Sequence, residues 1–323
     1  MILQNPPPRA RGGNGSAFCK RAPGRGKIKM DEKFPVYRFY YIPLPPKRHD
    51  VRHKIYAICR AERFSPNSVN KDAAILESVA MRLGTIGYDV ETVDETRFTY
   101  TPDAAACLSM GRGCEVLAVL KKMESEGVVV MNSPLSVEVC KKRKLLNSVM
   151  ERAGITLPPP NGDAGYWLKR ADGTAEAAVD VRYVEDHDAM LATYESMRTA
   201  GIRDIIVQAH VTGDLIKFYG VRGTSFFFTC YPGDDGDWKF ADEARNGKPH
   251  HYPYGREALR RMVEKVSEAT GATIYGGDCI VDSNGAATII DFNDWPSFYR
   301  CKEEAAEAIV EIVTRRINAQ KHE

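Results

Sequence analysis

The stretch of residues 276–296 constrains the fold of this chain more than any other part of the sequence. It holds two runs rich in β-branched and apolar residues, 279–282 and 288–292, on either side of Asn284-Gly285. An Asn-Gly dipeptide between two such runs is the strongest short signal for a β-hairpin with a two-residue turn. The sequence therefore predicts two antiparallel strands that pair around this turn.

The register of that hairpin decides which side chains face each other. With the turn centred on the Asn-Gly dipeptide, residue 283 pairs with residue 286, and Asp278 pairs with Asp291. Asn293 shares the face of Asp291 because it lies two residues further along the strand. Opposed carboxylates repel each other unless a positive group lies between them. Two carboxylates and an amide oxygen on one face are the hard oxygen ligands that Mg²⁺ prefers, and Mg²⁺ commonly takes further ligands from nucleotide phosphates.

Polar and large apolar residues alternate directly after Asn293, which disfavours the alternative of a solvated hairpin face without a metal. The stretch resembles the metal-binding end of the ATP-grasp superfamily, whose members carry an acidic residue on one strand and later an acidic residue, any residue and Asn, usually before Pro. Here the matching residues are Asp278, Asp291 and Asn293, followed by Trp295-Pro296. Many ATP-grasp ligases have Glu in place of Asp291, whereas the inositol phosphate kinases of the superfamily have Asp, then Asn, an aromatic residue and Pro. The sequence is closer to the kinase pattern, which leaves the class of acceptor open.

Length, charge and cysteine usage narrow the remaining possibilities. The 323 residues suffice for about two or three compact units. The net charge of +2 argues against a bulk polyanion such as nucleic acid as the partner, and no apolar run reaches the length of a membrane span. The eight cysteines show no CxxC pair and no metal-finger spacing, which fits reduced thiols in a cytoplasmic protein. Nothing in the sequence indicates an oligomeric state.

The first 30 residues differ from the rest of the chain. They combine Pro- and Gly-rich segments with basic residues and contain no acidic residue. This composition predicts a disordered basic tail for residues 1–30. The alternatives are a targeting or nucleic-acid-binding arm and a native start at Met30.

Residues 31–130 predict a small open α/β domain, because strand and helix patterns alternate and imply a mostly parallel sheet. The loop 60–67 follows the first strand at its carboxyl end, where ligands bind in open α/β sheets, although an ordinary charged loop is the simpler interpretation. Strands are expected at 53–59, 89–93, 115–120 and 127–131, and helices at 72–83 and between the last two strands.

The resemblance implies that residues 131–323 form an ATP-grasp domain of two α+β subdomains, about 131–211 and 212–323. The whole chain is then of the α/β class, with α+β character in its C-terminal part. A helix is expected at 136–152, before Gly154, and counting back from that glycine places the nucleotide-contacting Lys of the superfamily at Arg143. Lys142 stands where Asp is usual, Lys144 is the alternative register, and a solvated basic helix face is the alternative interpretation. Further helices are expected at 255–270 and 303–317, and a long loop at 231–254.

Two basic residues are candidates for binding the nucleotide phosphates. Arg143 can hold a phosphate through two hydrogen bonds, so it can replace the usual Lys. Lys169 lies at the end of a predicted strand, where it can meet the α and β phosphates as a point charge. In the superfamily a Lys at this position does so, and the following loop, here with Gly173, closes over the nucleotide.

A hydrophobic strand that ends in a polar segment resembles the adenine-binding linker of the superfamily, where backbone groups contact the purine edge. The matching positions are Gln208, Ala209, His210 and Val211. Asp214 is a weaker candidate for the ribose. A lone His near a strand end is more often structural than catalytic.

The next strand, 215–223, has a period of two, so that Lys217 and Arg222 lie on opposite faces. The superfamily often places basic residues here, near the γ-phosphate or the acceptor. Lys217 is the first candidate for this catalytic role and Arg222 the second. A strand edge protected by charge is the alternative interpretation.

Together these residues imply transfer of the γ-phosphoryl group of ATP with Mg²⁺, as one or two ions for which Mn²⁺ can substitute. The acceptor is a small molecule or a peptide. A carboxylate–amine ligase that acts through an acyl phosphate is placed slightly ahead of a small-molecule kinase that resembles the inositol phosphate kinases. A nucleotide-binding module without turnover is a third hypothesis, against which the intact metal-ligand pattern argues.

Overall fold

A computed structural model describes residues 54–65, 68–171, 180–234 and 245–320, which belong to a compact unit spanning Val51–Glu323. The predicted tail, residues 1–30, lies outside the described residues. None of the helices in the described ranges combines the length and the hydropathy needed to cross a membrane. The strands are β1 (Lys54–Cys59), β2 (Asp89–Asp94), β3 (Ala106–Ser109), β4 (Val129–Met131), β5 (Tyr166–Arg170), β6 (Val181–Val184), β7 (Ile205–Ala209), β8 (Asp214–Val221), β9 (Phe227–Cys230), β10 (Ile274–Val281) and β11 (Ala287–Asp294). The helices are α1 (Val69–Thr85), α2 (Cys114–Ser125), α3 (Pro134–Lys141), α4 (Arg143–Arg152), α5 (His187–Thr199), α6 (Arg256–Thr270) and α7 (Lys302–Gln320).

The first four strands form a parallel sheet, which confirms the prediction of a mostly parallel sheet, and their order is β2-β1-β3-β4. One strand assignment is wrong, because residues 115–120 lie in α2 and the third strand is β3. The buried positions of α2 are Val116, Leu117, Leu120 and Met123, which follow helical spacing. β3 was missed because Ala106–Ser109 contains no β-branched residue.

The hairpin belongs to an antiparallel sheet with the order β11-β10-β8-β9, which we call the hairpin sheet. The predicted pairing of Asp278 with Asp291 is confirmed. The predicted pairing around the turn is wrong, because Val281 pairs with Ala287 and the strands are joined by three residues, 283–285. A β-bulge at Ile290 then adds one residue to β11 and restores the predicted register at the two aspartates.

The shape of the turn explains the difference of one residue. The Asp282 carboxylate accepts the N–H groups of Asn284 and Ala286, which folds the chain back one residue earlier than a two-residue turn would. Gly285 has a φ of 81°, a left-handed conformation that glycine adopts without strain. A three-residue turn of this kind is the next most common hairpin connection.

The third sheet is antiparallel, with the order β6-β5-β7, and α5 covers one of its faces. Leu168, Met197 and Ile202 form the small core between α5 and the sheet. Side chains alternate along a strand, so Lys169 points to the face opposite Leu168. The sequence patterns predict β5 and β7 but not β6 or α5.

The predicted helix at 136–152 is two helices, α3 and α4, which are separated at Lys142. The backbone of Lys142 has φ −104° and ψ 90°, outside the helical region. The buried positions change phase across the break, from Val137 and Cys140 to Leu146 and Met150, so one straight helix could not bury both sets. Arg143 thus becomes the first residue of a helix instead of a mid-helix position.

A shared core joins the parallel sheet to one face of the hairpin sheet. It includes Trp295 and Phe298, which follow β11, together with Tyr219 of β8. The expected boundary between residues 130 and 131 falls inside β4, so Met131 still pairs within the parallel sheet. The opposite face of the hairpin sheet packs on α4 and α6.

Candidate active site

A row of charged residues crosses one face of the hairpin sheet. Asp291 lies opposite Asp278, Asp278 lies opposite Lys217, and Lys217 lies opposite Cys230. Directly opposed residues in antiparallel strands share a face. Lys217 Nζ donates a hydrogen bond to Asp278 Oδ1 at 3.1 Å. Lys217 therefore supplies a positive charge that two opposed carboxylates require.

The carboxylate of Asp291 is surrounded by groups that stabilise its negative charge. Asn293 Nδ2 donates to Asp291 Oδ2 at 3.0 Å, so the third predicted metal ligand lies on the same face. Burial alone would raise the pKa of Asp291, but Arg143 and Lys169, with the Asn293 amide, outweigh it and hold the pKa below its ordinary value. Asp291 is thus a carboxylate at neutral pH, as a ligand to a cation must be.

Lys169 approaches this row from the third sheet. Its Nζ donates to the carbonyl of Ile290 at 3.1 Å, and Ile290 is the bulge residue beside Asp291. Burial lowers the pKa of Lys169 to about 8, and Arg143 acts in the same direction, while Asp291 and Asp278 oppose the change. The ammonium group is therefore held close to both carboxylates in a poorly solvated position.

Arg143 approaches the same carboxylate from the first turn of α4. Its NH1 donates to the carbonyl of Arg170, at the end of β5, at 3.2 Å. The alternative register residue, Lys144, instead pairs with Asp204 at 3.3 Å and is largely exposed. Of the two candidates, the structure therefore places Arg143 near Asp291 and Lys144 beside Asp204.

The predicted adenine linker lies at the end of β7, where Ala209 and His210 already use their N–H groups. Ala209 N–H donates to the carbonyl of Pro159 at 2.7 Å, and His210 N–H donates to that of Gly165 at 2.8 Å. These bonds do not involve the carbonyl groups of the two residues. The contact of the linker backbone with a purine stays a prediction for all four positions, 208–211.

The side chain of His210 contacts other side chains of the protein, as the interpretation of a lone structural His expects. Its Nδ1 accepts a hydrogen bond from Trp167 Nε1 at 3.0 Å, and its ring packs against Tyr183. Burial lowers the pKa of His210, although a hydrogen bond to Asn246 opposes this. His210 is therefore neutral at physiological pH and holds the linker to the third sheet.

The carboxylate of Asp214, the weaker candidate for the ribose, is buried and already bonded, and its ribose role stays a prediction. Oδ1 accepts the N–H of His250 at 2.7 Å, and Oδ2 accepts the N–H of Tyr252 at 2.8 Å. Burial would raise the pKa of Asp214, but these hydrogen bonds lower it further than burial raises it. Asp214 thus anchors the segment around residue 251 to the start of β8.

Arg222, the second candidate for the catalytic role, lies away from the charged row, and its role stays a prediction. Its N–H donates to the carbonyl of Thr273 at 2.8 Å, one residue beyond the end of β8. Five residues of strand separate it from Lys217, a distance of about 17 Å, and its side chain leaves the opposite face. The period-two pattern gave the faces correctly but could not show which end of the strand lies at the site.

Two arginines beside the site were missed by sequence reasoning. Arg112 NH2 donates to Asp294 Oδ1 at 2.5 Å, and Arg60 NH2 donates to the carbonyl of Trp295 at 2.9 Å. From its place after the first strand the loop 60–67 is a candidate for binding ligands, but the guanidinium group of Arg60 binds the protein's own backbone at Trp295. Residues 66 and 67 lie outside the described part of the chain. A basic residue after each of β1 and β3 is the signal that could have found this pair.

The donor set suits a hard divalent cation that takes part of its coordination from a ligand. In the ranges that the structure describes, no three His, Cys, Asp or Glu side chains cluster as a metal site. Asp278, Asp291 and Asn293 supply oxygen atoms from one face, which fits the few protein ligands of nucleotide-bound Mg²⁺. The loop after Lys169, expected to cover the nucleotide, lies outside the described residues from 172 to 179.

Comparisons with known proteins identify the fold. No protein-family model and no curated protein matches the sequence. The structure is similar to D-alanyl-alanine synthetase A from Vibrio cholerae, with a TM-score of 0.61 at 10% identity, over 82% of this chain and 98% of that one. It is also similar to the D-alanine-D-alanine ligase from Coxiella burnetii, with a TM-score of 0.58 at 11% identity, over 83% and 96%.

A third similar structure is the RimK domain ATP-grasp protein from Sphaerobacter thermophilus, with a TM-score of 0.53 at 18% identity, over 81% of this chain and 99% of that one. At such low identities the likeness concerns the fold alone. The element order agrees with it, since a parallel sheet precedes two antiparallel sheets whose facing sides carry the charged row and Lys169. The chain has the ATP-grasp fold.

Proposed function

We propose that this protein is an ATP-dependent enzyme that transfers the γ-phosphoryl group of ATP, and that it acts as a carboxylate–amine ligase. One observation carries the proposal. The paired carboxylates of the hairpin, Asp278 and Asp291, are contacted or flanked by basic side chains from three separate elements, Lys217 of β8, Lys169 of β5 and Arg143 of α4. Such a concentration of opposite charges suits a site that binds a metal and a triphosphate together.

Asp278, Asp291 and Asn293 would hold one or two Mg²⁺ ions, or Mn²⁺ in their place. When bound, the metal would neutralise charge on the phosphoryl group during its transfer. The chain contributes the fixed geometry: the bulge at Ile290 sets Asp291 opposite Asp278, and the Asn293 amide orients the Asp291 carboxylate.

Lys169 and Arg143 would bind the phosphates. Lys169 Nζ donates to the carbonyl of Ile290 in β11 of the hairpin sheet, a bond that phosphate oxygens can replace with stronger, charge-assisted bonds. Arg143 begins α4, so that its guanidinium group extends from a helix N-terminus toward Asp291. Backbone groups of Gln208, Ala209, His210 and Val211 would contact the base from the linker.

Lys217 would offset the charge that develops as the phosphoryl group moves to the acceptor. It pairs with Asp278 and lies in the row with both carboxylates, so the metal and this ammonium group act on the same phosphoryl group. Catalysis of this kind needs positioning and electrostatic stabilisation and no covalent intermediate with the protein.

In the ligase reaction the acceptor is a carboxylate of a small molecule or a peptide, and an amine attacks the resulting acyl phosphate. The ligase names of the similar structures support this choice. A small-molecule kinase is the second candidate, because Asp291 takes the place of the Glu common in ligases and Trp295-Pro296 follow.

The free cysteines in the described part of the chain support a cytoplasmic location.

The test is a screen for ADP release over amino acids, short peptides and inositol phosphates with Mg²⁺. A ligase releases ADP and inorganic phosphate and forms an amide, and hydroxylamine traps its acyl phosphate as a hydroxamate. A kinase releases ADP without phosphate and yields a phosphorylated acceptor. Absence of MgATP binding by calorimetry would refute the proposal as a whole.

A further inference from the structure

We propose that Arg112 and Arg60 are positioning residues, which hold the end of β11 and so keep Asp291 and Asn293 in place opposite Asp278. The inference rests on the proposed function, because it concerns the residues that would hold the metal. The guanidinium groups of the two arginines contact Asp294 and Trp295. Each acts through the two residues that follow Asn293.

The end of β11 needs support beyond its strand pairing. The bulge at Ile290 interrupts the regular ladder one residue before Asp291. Directly after the strand, Trp295 has a φ of 34° and Phe298 a φ of 50°. Large side chains rarely adopt positive φ values, and such conformations persist only where the surroundings enforce them. The segment that carries Asn293 is therefore irregular on both sides.

The two arginines supply that support from the parallel sheet. Arg112 NH2 lies 2.5 Å from Asp294 Oδ1 and 3.5 Å from the carbonyl oxygen of Asp294. Arg60 NH2 lies 2.9 Å from the carbonyl oxygen of Trp295. Consecutive residues after Asn293 are thus each held by a guanidinium group.

Both arginines are themselves fixed. Arg60 donates its Nε to the carbonyl of Met110 at 3.0 Å and pairs with Asp72 at 3.2 Å. Glu95 accepts the backbone N–H of Arg112 at 2.9 Å and that of Gly113 at 2.7 Å. The two arginines therefore fix the end of β11 relative to the carboxyl ends of β1 and β3.

The Arg112–Asp294 pair is not the arrangement that stability alone would favour. Arg112 is 7% exposed and Asp294 is 1% exposed, and within the described part of the chain Arg112 Nε and Asp294 Oδ2 have no hydrogen-bond partner. Buried ion pairs lose much of their attraction to desolvation, and apolar residues of similar volume often replace them without loss of stability. A fixed geometry at the strand end explains why a charged pair stands here.

The alternation of the strand separates this role from metal binding. Asp294 points to the face opposite Asn293, so Arg112 reaches β11 from the side away from the metal ligands. Its effect must pass through the backbone between Asp294 and Asn293. Partners that orient metal ligands indirectly commonly change metal affinity about 10–100-fold when they are removed.

The test is a variant that removes both charges, Arg112→Met with Asp294→Leu, with Asp294→Asn as a milder second variant should the first not fold. Mn²⁺ binding is measured by electron paramagnetic resonance with a non-hydrolysable ATP analogue, and analogue binding without metal by calorimetry. We expect Mn²⁺ affinity to fall about 10–100-fold, with an unchanged unfolding temperature and unchanged analogue affinity. Arg82→Met is the control, since it removes an exposed pair with Glu303 elsewhere between α1 and α7.

The possible results separate this inference from the proposed function. Unchanged Mn²⁺ affinity in a folded variant would overturn the positioning role, and so would an equal loss in the Arg82→Met control. A loss of analogue affinity without metal would show general disruption of the site and would also overturn it. A wild-type protein that binds no Mn²⁺ with the analogue would instead refute the proposed metal site itself.

Discussion

Replacement of Lys169 by Met should affect folding and nucleotide binding in different ways. The ammonium group lies in a poorly solvated position, and burial lowers its pKa from the ordinary 10.5 to about 8. Below pH 8 the group is charged in both the folded and the unfolded protein, and the folded state bears the full cost of its burial. Above pH 10.5 it is neutral in both states and that cost is absent. Between these values the unfolded chain binds more protons, so the free energy of unfolding rises with pH.

The size of this effect follows from the pKa difference. At about 1.4 kcal/mol per pH unit, the change from 10.5 to about 8 corresponds to about 3 kcal/mol at neutral pH. Of this, about 2 kcal/mol should be recovered between pH 7 and pH 9.5. In the proposed function the charged group binds the nucleotide phosphates, so Lys169→Met should weaken MgATP binding by about 1.5–3 kcal/mol, the value of a hydrogen bond to a charged group.

The assay is urea unfolding of the wild type and of Lys169→Met at pH 7 and pH 9.5, without nucleotide. The difference between the two proteins isolates Lys169, because other groups titrate equally in both. We expect the wild type to gain about 2 kcal/mol relative to the variant over this range. Lys144→Met is the matched control, since Lys144 is an exposed lysine that pairs with Asp204. A difference that does not depend on pH, together with unchanged MgATP affinity, would refute the reasoning.

Three further predictions follow from the contacts of the site. Asp291→Asn should lower ATP turnover by orders of magnitude. It should also destabilise the protein without nucleotide, because the lowered pKa of Asp291 means that the folded state favours its charge. Turnover assays and urea unfolding at pH 7 test the two expectations, and a gain in stability would contradict the electrostatic argument. Asp214→Ala should cost about 1.5–3 kcal/mol of stability for each lost hydrogen bond to His250 or Tyr252, while calorimetry should show unchanged ATP affinity. Arg222→Gln should leave the rate of ADP release unchanged, and a large loss of rate would return Arg222 to the site.

The result expected for Asp291→Asn shows what the sequence alone could not provide. From the hairpin alone, two opposed carboxylates imply that removing one relieves repulsion and stabilises the fold. The structure reverses the sign, because Lys169 and Arg143 arrive from the third sheet and from α4 and lower the pKa of Asp291. No local pattern shows which distant cations face a given carboxylate. The metal-ligand pattern is readable from the sequence, whereas its electrostatic balance depends on tertiary packing.

The hairpin register shows how a correct pairing can come from a partly incorrect geometry. The side chain of Asp282 competes with the strand pairing for backbone N–H groups and gives a three-residue turn. The bulge at Ile290 compensates for it, so that Asp278 and Asp291 meet as the simpler turn predicts. Turn chemistry could be inferred from Asp282, because Asp commonly accepts backbone N–H groups two residues further on. The bulge has no comparable signal in the sequence.

The bulge and the buried Arg112–Asp294 pair both depart from regular strand pairing and apolar packing, the rules from which a sequence is interpreted. Sequence reasoning succeeds for β1, β8 and α6, because there local propensity and hydrophobic period agree with the final packing. It fails where the chain departs from these rules, at a bulge that frees the Ile290 carbonyl for Lys169 and at a buried ion pair with unpartnered atoms. Both departures lie within a few residues of Asp291 and Asn293. Because the bulge interrupts the strand pairing and the ion pair adds no apolar packing, their position beside the charged row is itself an argument that this end of β11 is shaped for chemistry.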